Sequence, residues 1–387
     1  MKVFYSPTHA QHAPPFEIFD GGEKITNFEM PERMERILSA LKADGRYEIV
    51  PPEDFGLGPI EAVHDRGYLN FLRTAFDEWM AEPTDYERTA LLPATFPLPG
   101  SRGHIPTTLL GRAGYYITDL SAPIVAGTYP AALASANCAL SGAKELVTGE
   151  WLIENRKTNT SDKQLPNNHS PIANNDSASP ALHPQRGASV KIQHSAFALC
   201  RPPGHHAGHA NCAGYCYINN AAVAAGWLAQ FGQVAILDID YHAGNGTQDI
   251  FYERADVLTI SIHADPDFEY PYYSGYADQT GTGDGLGFHQ NYPLPFGADD
   301  TTYLSTLEKA IERISAFRPS SLVVSAGMDI YGEDPLGRIR ITREGIRQIG
   351  QKIAALNLPT LAVMEGGYNN EALGLNICAF LDAFHQD

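Results

Sequence analysis

The sequence predicts a three-layer α/β/α fold with a mainly parallel central sheet. Three observations carry that expectation. Seven short runs, at 3–6, 47–50, 196–200, 234–238, 257–263, 322–326 and 360–364, have the length and apolar, β-branched character of strands. Between most of them lie stretches with apolar residues at helical spacing. Several runs, above all Val234-Ala235-Ile236-Leu237, are apolar without interruption, which marks strands covered on both faces. Strands of that kind alternating with helices make a parallel sheet sandwiched by helices.

Taken in order, the chain opens on Met1-Lys2-Val3-Phe4-Tyr5-Ser6, a first strand without the charged and apolar regions of a secretory leader. Met34, Ile37, Leu38 and Leu41 repeat near 3.6 residues and predict a helix over 33–42. Similar patterns predict helices over 68–80, 131–147, 219–231, 302–317 and 344–356, with a last one over 371–384. Two segments break the rhythm. Residues 81–107 are rich in Pro and Gly and read as a long structured loop and a candidate oligomer contact. Residues 155–191 are polar and rich in Asn, Ser, Pro and Lys, so they are expected to form a disordered surface insertion within a single domain spanning 1–387. Its histidines, His169 and His183, read as solvated side chains.

Composition narrows the function. With 27 Lys and Arg against 45 Asp and Glu, the formal net charge is −18. Such a chain is a poor partner for nucleic acid or an anionic membrane and suits a cationic ligand. Five cysteines without paired spacing imply a reducing compartment and no disulfide framework. No apolar run is long enough to span a bilayer, and a cytoplasmic protein is expected.

Four motifs follow predicted strands, where α/β sheets place their ligand sites. The first is Arg201-Pro202-Pro203-Gly204-His205-His206, two adjacent imidazoles on a loop stiffened by proline. The second is Asp238-Ile239-Asp240-Tyr241-His242, extended by Ala243-Gly244-Asn245. While a strand stays extended, alternate side chains share a face, which would bring Asp238, Asp240 and His242 together. Alone, such a strand end is equally a set of solvated polar groups. The third is Ser325-Ala326-Gly327-Met328-Asp329, followed by Asp334-Pro335-Leu336-Gly337, and the fourth is Glu365-Gly366-Gly367-Tyr368. Together, Asp240, His242 and Asp329 would form an open metal site, the tandem histidines a general acid and base, and Tyr368 an oxyanion donor. No serine or cysteine stands at motif spacing from a base, so the set points to metal-assisted hydrolysis.

These motifs, in this order, closely resemble the zinc-dependent deacetylases of the arginase–deacetylase fold. Val63-His64-Asp65-Arg66-Gly67-Tyr68, Gly114-Tyr115-Tyr116 and Asn219-Asn220-Ala221 are similar to the bacterial acetylpolyamine amidohydrolase branch. The resemblance implies one zinc ion on Asp240, His242 and Asp329, His206 as general base and acid, and His205 as an electrostatic partner oriented by Asp238. It implies Asn245 orienting His206, Tyr368 polarising the amide carbonyl, and Tyr215, Tyr270 and Leu336 lining a substrate tunnel. A structural potassium ion would use Asp238, Asp240, His242 and Ser261. The implied substrate is a small cationic acetylated amine, an acetylpolyamine foremost and acetyl-lysine as the alternative, turned over by a homodimer. Three features depart from the pattern. Ala243 stands where a second histidine often follows the ligand histidine. Leu110 and Ser121 replace acidic residues of polyamine-cleaving relatives, and Leu336 replaces the acidic residue of eukaryotic ones. Two other readings are weaker: an arginase-like two-metal enzyme lacks a second ligand cluster, and a silent acyl-ligand binder needs neither Tyr368 nor the tandem histidines.

Overall fold

The computed structural model describes residues 1–85, 87–98, 103–147 and 195–385. The expected insertion at 155–191, with His169 and His183, lies outside the described residues. The strands are β1 (Lys2–Phe4), β2 (Glu17–Phe19), β3 (Glu23–Ile25), β4 (Glu48–Val50), β5 (Ser195–Ala198), β6 (Val234–Asp238), β7 (Val257–Ala264), β8 (His289–Leu294), β9 (Ser321–Ala326) and β10 (Thr360–Met364). Eight of them form one sheet in the order β4-β1-β5-β10-β9-β6-β7-β8, and every neighbouring pair is parallel. β2 and β3 form a separate antiparallel hairpin.

The helices are α1 (Glu32–Asp44), α2 (Gly58–Glu61), α3 (Arg66–Ala81), α4 (Leu109–Tyr116), α5 (Thr128–Leu146), α6 (Asn220–Leu228), α7 (Asn245–Phe251), α8 (Asp300–Phe317), α9 (Arg343–Ala354) and α10 (Leu373–Leu381). Alternation along the strands divides the core between the two faces of the sheet. Ala235, Leu237, Leu322 and Val324 pack with Ile37, Leu307, Ile349 and Ile377 from α1, α8, α9 and α10. Val234, Ile236 and Val323 point the other way and meet Ala139 of α5 and Ala224 of α6. Every residue of β6, β7, β9 and β10 is buried, as the unbroken apolar runs require. Helix starts follow local chemistry: the side chains of Asn219, Asp299 and Thr342 accept the free amides of Ala222, Thr302 and Gly345.

All seven expected strands are present. β8 is additional: His289-Gln290-Asn291-Tyr292-Pro293-Leu294 is polar and contains proline, as suits an edge position. The short helices α4 and α7 also go beyond the periodic signal. Among the described residues no helix is long and apolar enough to cross a membrane.

Three enclosed imidazoles contribute to the acid response of the fold. Burial lowers His64, His263 and His289 to about 4. They are neutral when folded, whereas in the unfolded chain they take up protons below about 6.5. Their contribution to stability is therefore present above that pH and lost as the pH falls toward 4. Melting temperature is expected to drop across that window, and a flat profile would contradict it.

Candidate active site

Because the sheet is parallel, β5, β6, β9 and β10 deliver their carboxyl ends to one edge, where the four motifs meet. The strand does not continue through the aspartates: β6 ends at Asp238. Asp238 Oδ1 accepts the Asp240 amide at 3.0 Å, and Asp240 Oδ1 accepts the His242 amide at 2.9 Å. Each aspartate side chain thus captures the N–H two residues on and bends the chain out of the ladder. The expected shared face splits in two. Asp238 turns to His205, while Asp240 and His242 turn to Asp329.

Asp329 arrives from the loop after β9, with Oδ1 accepting the Tyr241 amide at 2.9 Å. His242 Nδ1 lies 3.3 Å from Asp240 Oδ1 and 3.2 Å from Asp329 Oδ2. One ligand atom from each of Asp240, His242 and Asp329 falls within 4.8 Å of the others. Glycine makes this approach possible: a Cβ on Gly327 would stand 2.0 Å from Asp240 Oδ2. Both carboxylates are fully buried. Burial, then the charge of Asp240, pushes the Asp329 carboxyl up to about 7. Burial opposes charge on Asp240 too, but His205 and His242 hold it well below the ordinary carboxylate range. His242 is raised to about 10, against burial, by its hydrogen bonds to the two acids. Acids forced together out of water in this way favour a cation, and carboxylate oxygen with imidazole nitrogen is a donor set that fits zinc.

The histidine loop is clamped from below. Arg201 is buried and gives Nε to Glu29 Oε1 at 2.7 Å and its terminal nitrogens to the carbonyls of His9 and His12. Glu365 Oε2, from the end of β10, accepts the amides of Gly204 at 2.6 Å and His205 at 3.2 Å. His205 Nδ1 meets Asp238 Oδ2 at 2.9 Å, and its Nε2 is 3.6 Å from Asp240 Oδ1. His206 Nδ1 donates to Asn245 Oδ1 at 2.6 Å. The two rings are 4.0 Å apart yet have opposite proton affinities. Burial alone would lower His205, but Asp240 and Asp238 outweigh it and raise the ring well above its ordinary value. Burial, then the charges of His205 and His242, lowers His206 well below it. The surroundings thus favour the charged form of His205 and the neutral form of His206.

Tyr368 follows the Gly366-Gly367 turn, with Gly367 at φ 121°, a conformation that disfavours any side chain. Asp334 Oδ2 accepts the Tyr368 amide at 2.6 Å, and the Arg33 guanidinium lies 4.7 Å from the Tyr368 ring. Arg33, wholly buried, also holds the carbonyls of Gly367 and Glu365 at 2.7 and 2.6 Å.

A cavity of about 310 Å³ opens over this floor, and Tyr215, Tyr270, Tyr368, Ser121 and Leu336 are among its walls. The Tyr270 ring stands 4.9 Å from that of His206 and 6.0 Å from that of His242. Its hydroxyl donates to Asp119 Oδ2 at 2.7 Å, which fixes the wall. Leu110 sits exposed on α4, away from the lining. Ser261 lies opposite Asp238 in the β6–β7 register. His209 turns away and bonds the Val63 carbonyl. A second group, His205, Cys216 and Glu365, also converges. Part of that set is in use, since Glu365 Oε2 holds the Gly204 and His205 amides and His205 Nδ1 holds Asp238, while burial pushes the Cys216 thiol well up.

The sequence motifs do not reveal the supporting residues Arg33, Asp119, Asp334 and Glu365. Asp334 and Glu365 stand inside the quoted motifs, but only the fold shows that their carboxylates carry neighbouring backbone amides.

The comparisons with known proteins agree with this architecture. The family described as the histone deacetylase domain matches residues 27–384. Acetylpolyamine amidohydrolase 2 of Pseudomonas aeruginosa is 41% identical over 386 residues, covering 99% of this chain and 98% of that one. The acetylpolyamine amidohydrolase of Mycoplana ramosa is 39% identical over 383 residues, covering 98% of both. The crystal structure of the acetylpolyamine aminohydrolase from Burkholderia pseudomallei superposes with a TM-score of 0.84 at 35% identity, over 99% of this chain and 98% of that one. By domain match, full-length similarity and shared fold, the chain belongs to the histone deacetylase family.

Proposed function

We propose that the protein hydrolyses the amide bond of N-acetylated amines, acetylated polyamines foremost, using one zinc ion held by Asp240, His242 and Asp329. The observation that carries this reading is the convergence of two buried carboxylates and an imidazole within 4.8 Å beneath an aromatic cavity. Zinc bound there would supply a Lewis acid for the acetyl carbonyl and make water a competent nucleophile at neutral pH.

The remaining chemistry falls to the chain's own side chains. His206 gives its Nδ1 proton to Asn245, so Nε2 keeps the lone pair that accepts a proton from the attacking water. The same nitrogen returns that proton to the departing amine. His205, held charged by Asp240 and Asp238, places positive charge beside the reacting group. The Tyr368 hydroxyl donates to the oxygen that becomes negative. Water adds to the carbonyl carbon, the C–N bond breaks, and acetate and the free amine leave.

A structural potassium ion beside Asp238 belongs to the same proposal. His263 Nε2 donates to the Gly275 carbonyl at 2.8 Å, so its Nδ1 accepts from the Ser261 hydroxyl at 2.6 Å. The Gly244 amide approaches the Ser261 oxygen at 3.5 Å, and the oxygen's remaining lone pair is available to a cation opposite Asp238. We further infer a cytoplasmic homodimer, which the exposed Phe96, Ile105 and Leu110 around the 81–107 loop support as an apolar face for a second copy. Acetyl-lysine is the second reading for the substrate, favoured by the uncharged Ser121 and Leu336 on the lining. Comparing kcat/KM for acetylputrescine, acetylspermidine and an acetyl-lysine peptide separates the two. The polyamines are expected to lead, and preference for the peptide would reject that choice.

A further inference from the structure

Ser121 and Leu336 leave much of the cavity wall uncharged, yet one acid remains on it. Glu269 is the sole acidic residue among the described residues that line the cavity. It directly precedes Tyr270, the wall that stands over His206. We infer that Glu269 selects cationic substrates, its carboxylate receiving the distant ammonium of an amine whose acetamide lies between His206 and Tyr368.

The carboxylate is held in place for that task. Oε1 accepts the Tyr270 amide at 3.1 Å, and Oε2 accepts the Tyr241 hydroxyl at 2.7 Å. An ionised carboxylate offers about four lone-pair sites, so both oxygens keep capacity for another donor. Tyr241 lies between Asp240 and His242, and this bond therefore ties the acid to the turn carrying the candidate metal donors.

The resting counterion is Arg338. Its Nε stands 3.7 Å from Glu269 Oε2, beyond a normal N–H···O bond, and its side chain is 59% exposed against 12% for Glu269. An arginine so placed in solvent holds the acid weakly and is easily displaced. A substrate ammonium entering the cavity exchanges with it, whereas a neutral tail leaves the pair as it is. The net charge of −18 draws cations to the whole surface, but Glu269 supplies a contact at one place on the cavity wall. Arg338 follows Leu336 on the same loop, so the competition takes place beside the uncharged wall.

This inference rests on the acetylated-amine reading above, and its test uses the zinc-loaded full chain. The substrates are N-acetylputrescine and its uncharged isostere N-pentylacetamide, compared by kcat/KM. Glu269→Gln keeps the shape of the side chain. It is expected to lower the cationic-over-neutral ratio about fivefold, mainly through KM, the size of a partly exposed ion pair. Arg338→Gln removes the competitor and is expected to raise the same ratio. Added salt should compress the wild-type preference. An unchanged ratio in Glu269→Gln, an equal loss on both substrates, or a lowered ratio in Arg338→Gln would each overturn the assignment. A wild type that cleaves neither amide would instead overturn the proposed function, and this inference with it.

Discussion

Replacing Tyr368 by phenylalanine is expected to lower turnover roughly 100- to 1,000-fold, the usual effect of removing one oxyanion donor. Folding should survive, because what fixes this residue is largely its backbone and ring: the amide bonded to Asp334 and the ring set against Arg33. The hydroxyl is the atom proposed to meet the substrate. Its proton is secure, since burial holds the phenol well above its ordinary value. KM should change far less than kcat, because a donor aimed at the developing charge acts in the transition state. The measurement is steady-state kinetics beside melting temperature and metal content. Near-normal turnover in a folded, metal-loaded variant would remove Tyr368 from the mechanism.

Asp329→Asn is expected to be more damaging. Asparagine retains an oxygen for the Tyr241 amide, so the turn after β6 keeps its brace. What it loses is the second negative charge of the Asp240–Asp329 pair. Those charges are driven together out of water, and their mutual repulsion is relieved by a cation. Without one of them, metal affinity should fall steeply. Rate should fall about a thousandfold or more, since Lewis-acid stabilisation amounts to several kcal/mol. Metal analysis after dialysis and kcat/KM at saturating zinc check both parts. A variant that retains zinc and activity would exclude Asp329 as a ligand.

Much of this arrangement was legible in the sequence, for identifiable reasons. The buried strands announced themselves because a parallel sheet tolerates little but apolar residues on either face, as in Val234-Ala235-Ile236-Leu237. The reactive residues were legible because they lie just past those strands, among glycines that only close packing explains. β8 was hidden by its polar sequence, and the β2–β3 hairpin by strands of three residues each. The Asp238–His242 stretch shows the limit of pattern reading. Its alternation fits a continuing strand, yet aspartates at i and i+2 also capture amides and end it. Arg33 was illegible for a different reason. It sits on an amphipathic helix like any surface arginine, and only the fold shows it fully buried beside Glu29 at 3.0 Å. Glu269 likewise gained meaning only when the cavity placed it on a wall.

Cleavage of acetylated amines through a metal at Asp240, His242 and Asp329 is tested by acetate release from N-acetylputrescine, using chelator-stripped protein titrated with zinc. No release is expected from the stripped protein, with recovery that saturates at one zinc per chain. Full activity in the metal-free protein, or none at any zinc loading, would contradict it.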